Sequence, residues 1–335
     1  MKAMVKIVLL TALLSLGACD NSPIPGGYNY NEGMLPDTPE NLSQFNSAYD
    51  DYNSTAPTLG FLIPFCFSTN RNSHGGEFDV IFQPMNVNFN KTTGILTVTN
   101  EYANWGIYEE EYQIISTGLN KIQTTGNELG PNLLPVYHLH EISFTLLYAT
   151  DITGNAQINF ISNSTDENFS APREVQFLNS EWEDMYPTFN ADGSRIYFCS
   201  DRSAEGFDIY YVEVDPERDL EDLLSDPSDY EVVRDLSLSG NSDDKCPFIF
   251  GNRMVFASNR EGGFGGFDLY SSTHVNGKWS TPINLGPQIN SAQDEYRPIL
   301  LDEGVSQTHA MMVFSSNRPG GLGGFDLYFV GIEME

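Results

Sequence analysis

MVFASNREGGFGGFDLY, residues 254–270, returns as MVFSSNRPGGLGGFDLY at residues 312–328. Shorter versions stand at 196–210, IYFCSDRSAEGFDIY, and at 65–80, FCFSTNRNSHGGEFDV. A phrase that returns like this means one supersecondary unit built several times over. Within each copy apolar and polar residues alternate, as a half-buried strand requires. Val313 and Ser315 share one strand face, and Met312 and Phe314 share the other. Asn317 to Gly324 is a turn cluster, after which Phe325, Leu327 and Phe329 restart the period of two. The phrase is therefore a hairpin whose loop relies on glycine.

A second phrase precedes each copy: NSAYDDYNSTAPT (46–58), NSEWEDMYPTF (179–189), NSDDKCPFIF (241–250) and NSAQDEYRPIL (290–300). Each holds Asn-Ser, an acidic pair and a proline that opens an apolar run. Proline suits the first residue of a strand, where no ladder donor is needed. After FDLY each unit runs into a further strand, clearest in YEVVRDLSL (230–238) and KWSTPINLG (278–286). Four short strands in series match one propeller blade.

A degenerate unit lies at 135–161, without the arginine and the Phe-Asp pair of the others. The expectation is an all-β, single β-propeller over residues 46–330 with five four-stranded blades. Pro57, Pro135, Pro187, Pro247 and Pro298 are expected at equivalent positions. Residues 84–130 hold either an extra hairpin, at 86–100, or a sixth blade. The chain stops on the third strand of the last blade, so a strand from about 33–45 is expected to supply the fourth and close the ring, leaving no open edge.

The pre-strand proline, F-x-S-[ND]-R and G-G-F-D-[LI]-Y together resemble the TolB-like propeller repeat, a relative of the WD-type repeat. That resemblance implies an envelope lipoprotein of the Bacteroidetes type. The first 18 residues read as a signal peptide: Lys2 and Lys6, an apolar stretch from Ile7 to Leu16, then Leu-Gly-Ala before Cys19. This looks like a bacterial lipobox, which implies lipidation of Cys19 and anchoring in the lipid bilayer, the outer membrane rather than the inner. Residues 19–45 would hold the lipidated cysteine, a tether rich in Pro, Gly and Asn, and the closing strand.

The formal net charge is −30. Nucleic acid is excluded as a partner, because neutralising phosphate needs Lys and Arg. Cations and basic partners would be drawn in. Cys66, Cys199 and Cys246 form no close pair and read as small buried hydrophobes rather than as a disulfide framework or zinc site.

In a propeller the blade-to-blade links share a face with the loops between strands two and three. The acidic pairs Asp50/Asp51, Glu183/Asp184, Asp243/Asp244 and Asp294/Glu295 should therefore ring the mouth of the central channel. Two readings stand beside each other: turn chemistry, in which Asn and Asp bond their own backbone, and a site for a cation or basic ligand. No motif calls for a cofactor; calcium is the cation such a ring would attract. Arg71/Asp79, Arg202/Asp208, Arg260/Asp268 and Arg318/Asp326 recur in every full unit, so they read as hairpin-bracing ion pairs or Asp-to-backbone bonds rather than catalytic residues. His138 and His140 share a strand face but lack a third ligand. Trp105, Tyr108, Tyr112, Trp182 and Trp279 could stack on sugars or simply pack. No G-x-S-x-G, H-E-x-x-H or P-loop is present.

The leading expectation is a non-enzymatic scaffold that binds an envelope protein or glycan through its acidic face. The first alternative is a propeller glycoside hydrolase or lyase, which needs two facing carboxylates. The second is an accessory subunit of a secretion or uptake machine.

Overall fold

The structure, a computed structural model, describes residues 29–59, 63–101, 109–137, 142–164, 168–303 and 309–333. Cys19, His138, His140, Trp105 and Tyr108 lie outside the described residues.

Five antiparallel sheets follow one another along the chain. After the two-residue strand β1 (Glu40–Asn41), blade 1 holds β2 (Asp51–Thr55), β3 (Ile63–Thr69), β4 (Asp79–Phe89) and β5 (Leu96–Thr99). Helix α1 (Glu109–Ile122) leads into blade 2, with β6 (Glu128–Tyr137), β7 (Ile142–Thr150), β8 (Gln157–Ser162) and β9 (Arg173–Glu174). Blade 3 holds β10 (Asp184–Phe189), β11 (Arg195–Ser200), β12 (Asp208–Glu213) and, beyond the short helix α2 (Leu220–Leu224), β13 (Val233–Arg234). Blade 4 holds β14 (Asp244–Phe250), β15 (Arg253–Ser258), β16 (Asp268–Val275), β17 (Lys278–Trp279) and β18 (Ile283–Asn284), both of the last two paired to β16. Blade 5 holds β19 (Glu295–Leu301), β20 (His309–Ser316) and β21 (Asp326–Glu333). β1 completes it, with Glu40 opposite Phe329 and Asn41 opposite Tyr328. The N-terminal segment thus closes the ring, and the first strand of each blade packs beside that of the next around the axis.

The interval between the first two units forms no sixth blade. NVNFNKTTGILTVTN supplies the end of β4 and β5, the outer hairpin of blade 1. α1 follows because Tyr112, Ile115, Leu119 and Ile122 recur at helical spacing and are all buried. Ile115, Leu119 and Ile122 pack with Val80, Leu133, Phe144 and Leu146, and Tyr112 lies against Phe82, filling the wedge between blades 1 and 2.

Each innermost strand carries a bulge against its partner: between Tyr52 and Ser54, Leu129 and Asn132, Met185 and Thr188, Lys245 and Phe248, and Tyr296 and Ile299. The residue at the bulge has positive φ in all five blades: Asn53, Gly130, Tyr186, Cys246 and Arg297. The next residue is Pro131, Pro187, Pro247 or Pro298 in four blades and Ser54 in blade 1. A proline fits there because the bulge removes the ladder bond its nitrogen cannot make. The expected equivalence of Pro57 and Pro135 is therefore corrected. Pro57 lies beyond the end of β2, and Pro135 lies four residues past the bulge proline of blade 2.

The Gly-rich loops press on the linker of the following blade. A Cβ on Gly265 would run into the carbonyl oxygen of Gln293, and one on Gly323 into that of Tyr49. Gly265→Ala and Gly323→Ala should each cost about 1–3 kcal/mol, measured by urea unfolding. Gly240→Ala, where a Cβ meets nothing within 4 Å, should be nearly silent.

Candidate functional site at the seam of blades 1 and 2

The two members of each acidic pair have different jobs. The first is half-buried on the loop face, and its carboxylate accepts the backbone N–H of a residue in the neighbouring blade. Asp50 receives Phe325 N at 2.7 Å, Glu183 receives Ala156 N at 2.8 Å, Asp243 receives Phe207 N at 2.9 Å and Asp294 receives Phe267 N at 2.9 Å. Asn127 does the same in blade 2, taking Phe78 N at 2.9 Å. The backbone N–H of each of these five residues is held in turn by Asn70, Asp201, Asn259, Asn317 or Asp151. These bonds clasp one blade to the next.

The second member is fully buried at the head of the innermost strand: Asp51, Asp184, Asp244 and Glu295 are all 0% exposed. A buried charge is costly unless paired, and in each case an arginine pairs it. Arg71 meets Asp51, Arg202 meets Asp184 at 2.5 Å, Arg260 meets Asp244 at 2.5 Å and Arg318 meets Glu295 at 2.9 Å. The repeated F-x-S-[ND]-R now has a physical reading. Its arginine Nε donates to Thr69, Ser200, Ser258 or Ser316, and its guanidinium lies over Phe67, Phe198, Phe256 or Phe314. The Asn or Asp clasps the linker.

This corrects the expected partners of the arginines. They do not pair with the aspartate of their own phrase. Asp268 accepts Phe264 N and Gly265 N, and Asp326 accepts Leu322 N and Gly323 N, which braces the loop by Asp-to-backbone bonds. Asp208 pairs with Arg234 at 2.7 Å, and Asp79 receives the Asn72 amide at 3.2 Å. Among the described residues no group of three or more His, Cys, Asp or Glu side chains is placed to hold a metal ion.

The channel mouth itself is lined by Tyr52, Leu129, Met185, Lys245 and Tyr296, each one residue past a buried acid. None is a carboxylate. Aromatic contacts close this layer: Tyr52 and Phe325 lie 5.1 Å apart, Tyr296 and Phe267 4.6 Å, and the Lys245 ammonium sits 3.8 Å from the Phe207 ring.

Blade 2 breaks the pattern. Its buried acid is Glu128, 0% exposed, and the position of the missing arginine is held by Ile152, which points into solvent at 47% exposure. Glu128 is held instead by the hydroxyls of Thr124 at 2.5 Å and Thr150 at 3.2 Å. With no guanidinium to favour the charged form, burial raises its pKa to about 7, and the nearby Asp79 carboxylate adds to the rise. Burial raises Asp244 as well, but there Arg260 works against it. Sequence reading passed over Glu128 because the unit was aligned on Pro135. The signal that finds it is spacing: an acid stands three residues before the bulge proline in Asp184/Pro187, Asp244/Pro247, Glu295/Pro298 and Glu128/Pro131.

No family model matches the chain, and no curated protein matches it. Solved structures do. A thermostable family-43 glycoside hydrolase is 13% identical, with a TM-score of 0.52 over 85% of this chain and 90% of that one. An α-L-arabinofuranosidase from Podospora anserina, solved with cellotriose, is 11% identical, with a TM-score of 0.49 over 91% and 96%. The chain shares its fold with a glycoside hydrolase. The reading as a TolB-like, WD-like lipoprotein propeller is corrected by this likeness, and with it the expectation of a non-enzymatic scaffold.

Glu128 gives a stability test with a definite sign. Its folded-state pKa of about 7 lies above the ordinary value of 4.5, so the folded chain keeps a proton that the unfolded chain releases. This group favours folding most at low pH, and that contribution is lost as pH rises from about 4.5 to about 7. Ile152→Arg should restore the pairing of the other blades. It should raise stability at pH 8 by of order 2 kcal/mol and leave pH 5 nearly unchanged, read by denaturant unfolding at both pH values.

Proposed function

We propose that this propeller is a glycoside hydrolase whose reacting carboxyl groups lie at the seam of blades 1 and 2. The observation that carries the reading is Glu128, the one of five equivalent buried acids without an arginine, held as a carboxylic acid near neutrality. Glycoside hydrolysis needs two carboxyl groups in unlike environments, one protonated to give up a proton to the leaving oxygen and one ionised. Glu128 and Asp79 would be the two groups: Glu128 is fully buried and bonded by the Thr124 hydroxyl, while Asp79 is half-buried and bonded to the Asn72 amide. The fold shared with a family-43 glycoside hydrolase supports the same reaction class.

In this reading Glu128 is the general acid. A group with a pKa near the working pH is best suited to give and regain a proton. Thr124 and Thr150 fix its orientation, and substrate must displace the Thr124 hydroxyl to reach Oε1. Trp182, 38% exposed beside Glu183 on the same face, offers its ring to the apolar face of a sugar. The clasp acids Asp50, Glu183, Asp243 and Asp294 are half-buried on the same loop face, where sugar hydroxyls could meet them, and the ligand is a glycan.

The test is release of 4-nitrophenol and reducing ends from a panel of aryl glycosides and polysaccharides. Activity should fall as pH rises through about 7. Glu128→Gln should lower kcat by about 100-fold or more, whereas Trp182→Ala should raise KM with kcat little changed. Hydrolysis that survives Glu128→Gln unchanged overturns the assignment, as does binding of glycans without any turnover.

A further inference from the structure

The five bulge residues form one layer of the central channel, below the aromatic mouth. Blade 5 contributes Arg297, which is 0% exposed and crosses the axis. Its Nη2 donates to the Pro131 carbonyl of blade 2 and its Nη1 to the Pro247 carbonyl of blade 4, both at 3.2 Å. Its guanidinium lies 5.3 Å from the Tyr186 ring of blade 3 and 5.9 Å from Phe248 of blade 4. Blade 2 leaves room for this with a glycine: a Cβ on Gly130 would strike the Tyr186 ring.

The charge balance of this layer is incomplete. Every other arginine at a buried acid in this ring has its carboxylate, but Arg297 has none among the described residues. The groups around it are Tyr52, Tyr186, Cys199 and Cys246. Burial pushes the Cys246 thiol up to about 11 and raises Cys199, Tyr52 and Tyr186 further, so none supplies a negative charge at neutral pH. A lone guanidinium in a dry interior is expensive. It also has more donors than the two carbonyls use, and its Nε is buried with no hydrogen-bond partner.

The second observation comes from blade 1. Asn53 occupies the position equivalent to Arg297 and is likewise 0% exposed. Both polar atoms of its side chain, Nδ2 and Oδ1, are buried without a partner. Native structures seldom leave such groups unsatisfied. Blades 2, 3 and 4 each meet the guanidinium directly, and the sector belonging to blade 1 holds the unpartnered amide.

We propose that the channel layer of Asn53 and Arg297 is a binding site for a small inorganic anion of halide size, held by Arg297 Nε–H and Asn53 Nδ2–H. The aromatic layer above limits the occupant to a small ion. The anion would neutralise a buried positive charge that no carboxylate meets among the described residues, and so lock the five blades at their common axis. This stands independently of hydrolytic activity.

The experiment compares sodium bromide with sodium gluconate at equal ionic strength, gluconate being too large for the layer. The expected result is a saturable rise in melting temperature with bromide alone, of about 2–4 °C or more. Crystals grown in bromide should show an anomalous peak beside Arg297 Nε and Asn53. Arg297→Met and Asn53→Gly should each abolish the bromide-specific rise. Glycine keeps the positive φ of position 53, so that variant carries the test if Arg297→Met fails to fold. Equal melting in the two salts, or a bromide effect that persists in Asn53→Gly, overturns the proposal.

Discussion

Every innermost strand of this ring begins with a carboxyl group sealed from water, and the rest of the architecture answers that one cost. Burying an ionised carboxylate is affordable only with a well-placed cation and further hydrogen bonds. Four blades answer with the same device: an arginine from the second strand, oriented by a hydroxyl and laid over a phenylalanine. Each of these arginines also donates to a carbonyl of the preceding linker, at Phe45, Leu178, Leu238 or Ile289. One guanidinium thereby joins second strand, first strand and incoming chain. Repetition around a closed ring makes the strain of one blade a matter for its neighbours.

The blade count, the strand order and the closure by an N-terminal strand were legible because each has a signature that repeats or a gap that must be filled. Period-two alternation marks the strands, glycine clusters mark the loops, and a last blade that lacks its fourth strand needs a segment from elsewhere. The partners of the arginines were not legible. Arg260 and Asp268 stand close in the sequence, yet the carboxylate that Arg260 meets is Asp244, at the head of the innermost strand β14. Periodicity reports which face a side chain takes, not which of two nearby acids a long flexible arginine will reach.

Position-specific departures carry the chemistry, and repeats hide them. Ile152 in the place of an arginine reads in sequence as mere degeneration of the second unit; in the fold it leaves Glu128 without a counter-charge. Tyr186, Cys246 and Arg297 at the bulge likewise look like unrelated residues before prolines, until the positive φ they share turns them into one layer of the channel. The acidic pairs were expected to act together at the mouth. The fold splits them, sending one member to the blade clasp and the other into the interior. α1 was missed for a different reason: its amphipathic spacing sits within residues 84–130, a stretch expected to hold an extra hairpin at 86–100 or a sixth blade.

Glu128 is a carboxylic acid near neutrality, while its four counterparts are tied to arginine. Infrared difference spectroscopy of the full chain, wild type against Glu128→Gln, measures this directly through the carboxyl C=O stretch as pH is varied. The expected result is one protonated carboxyl band in the difference spectrum that disappears with a midpoint near pH 7. A band that has already disappeared below pH 5 would contradict it, and would return Glu128 to the ordinary role of a buried structural acid.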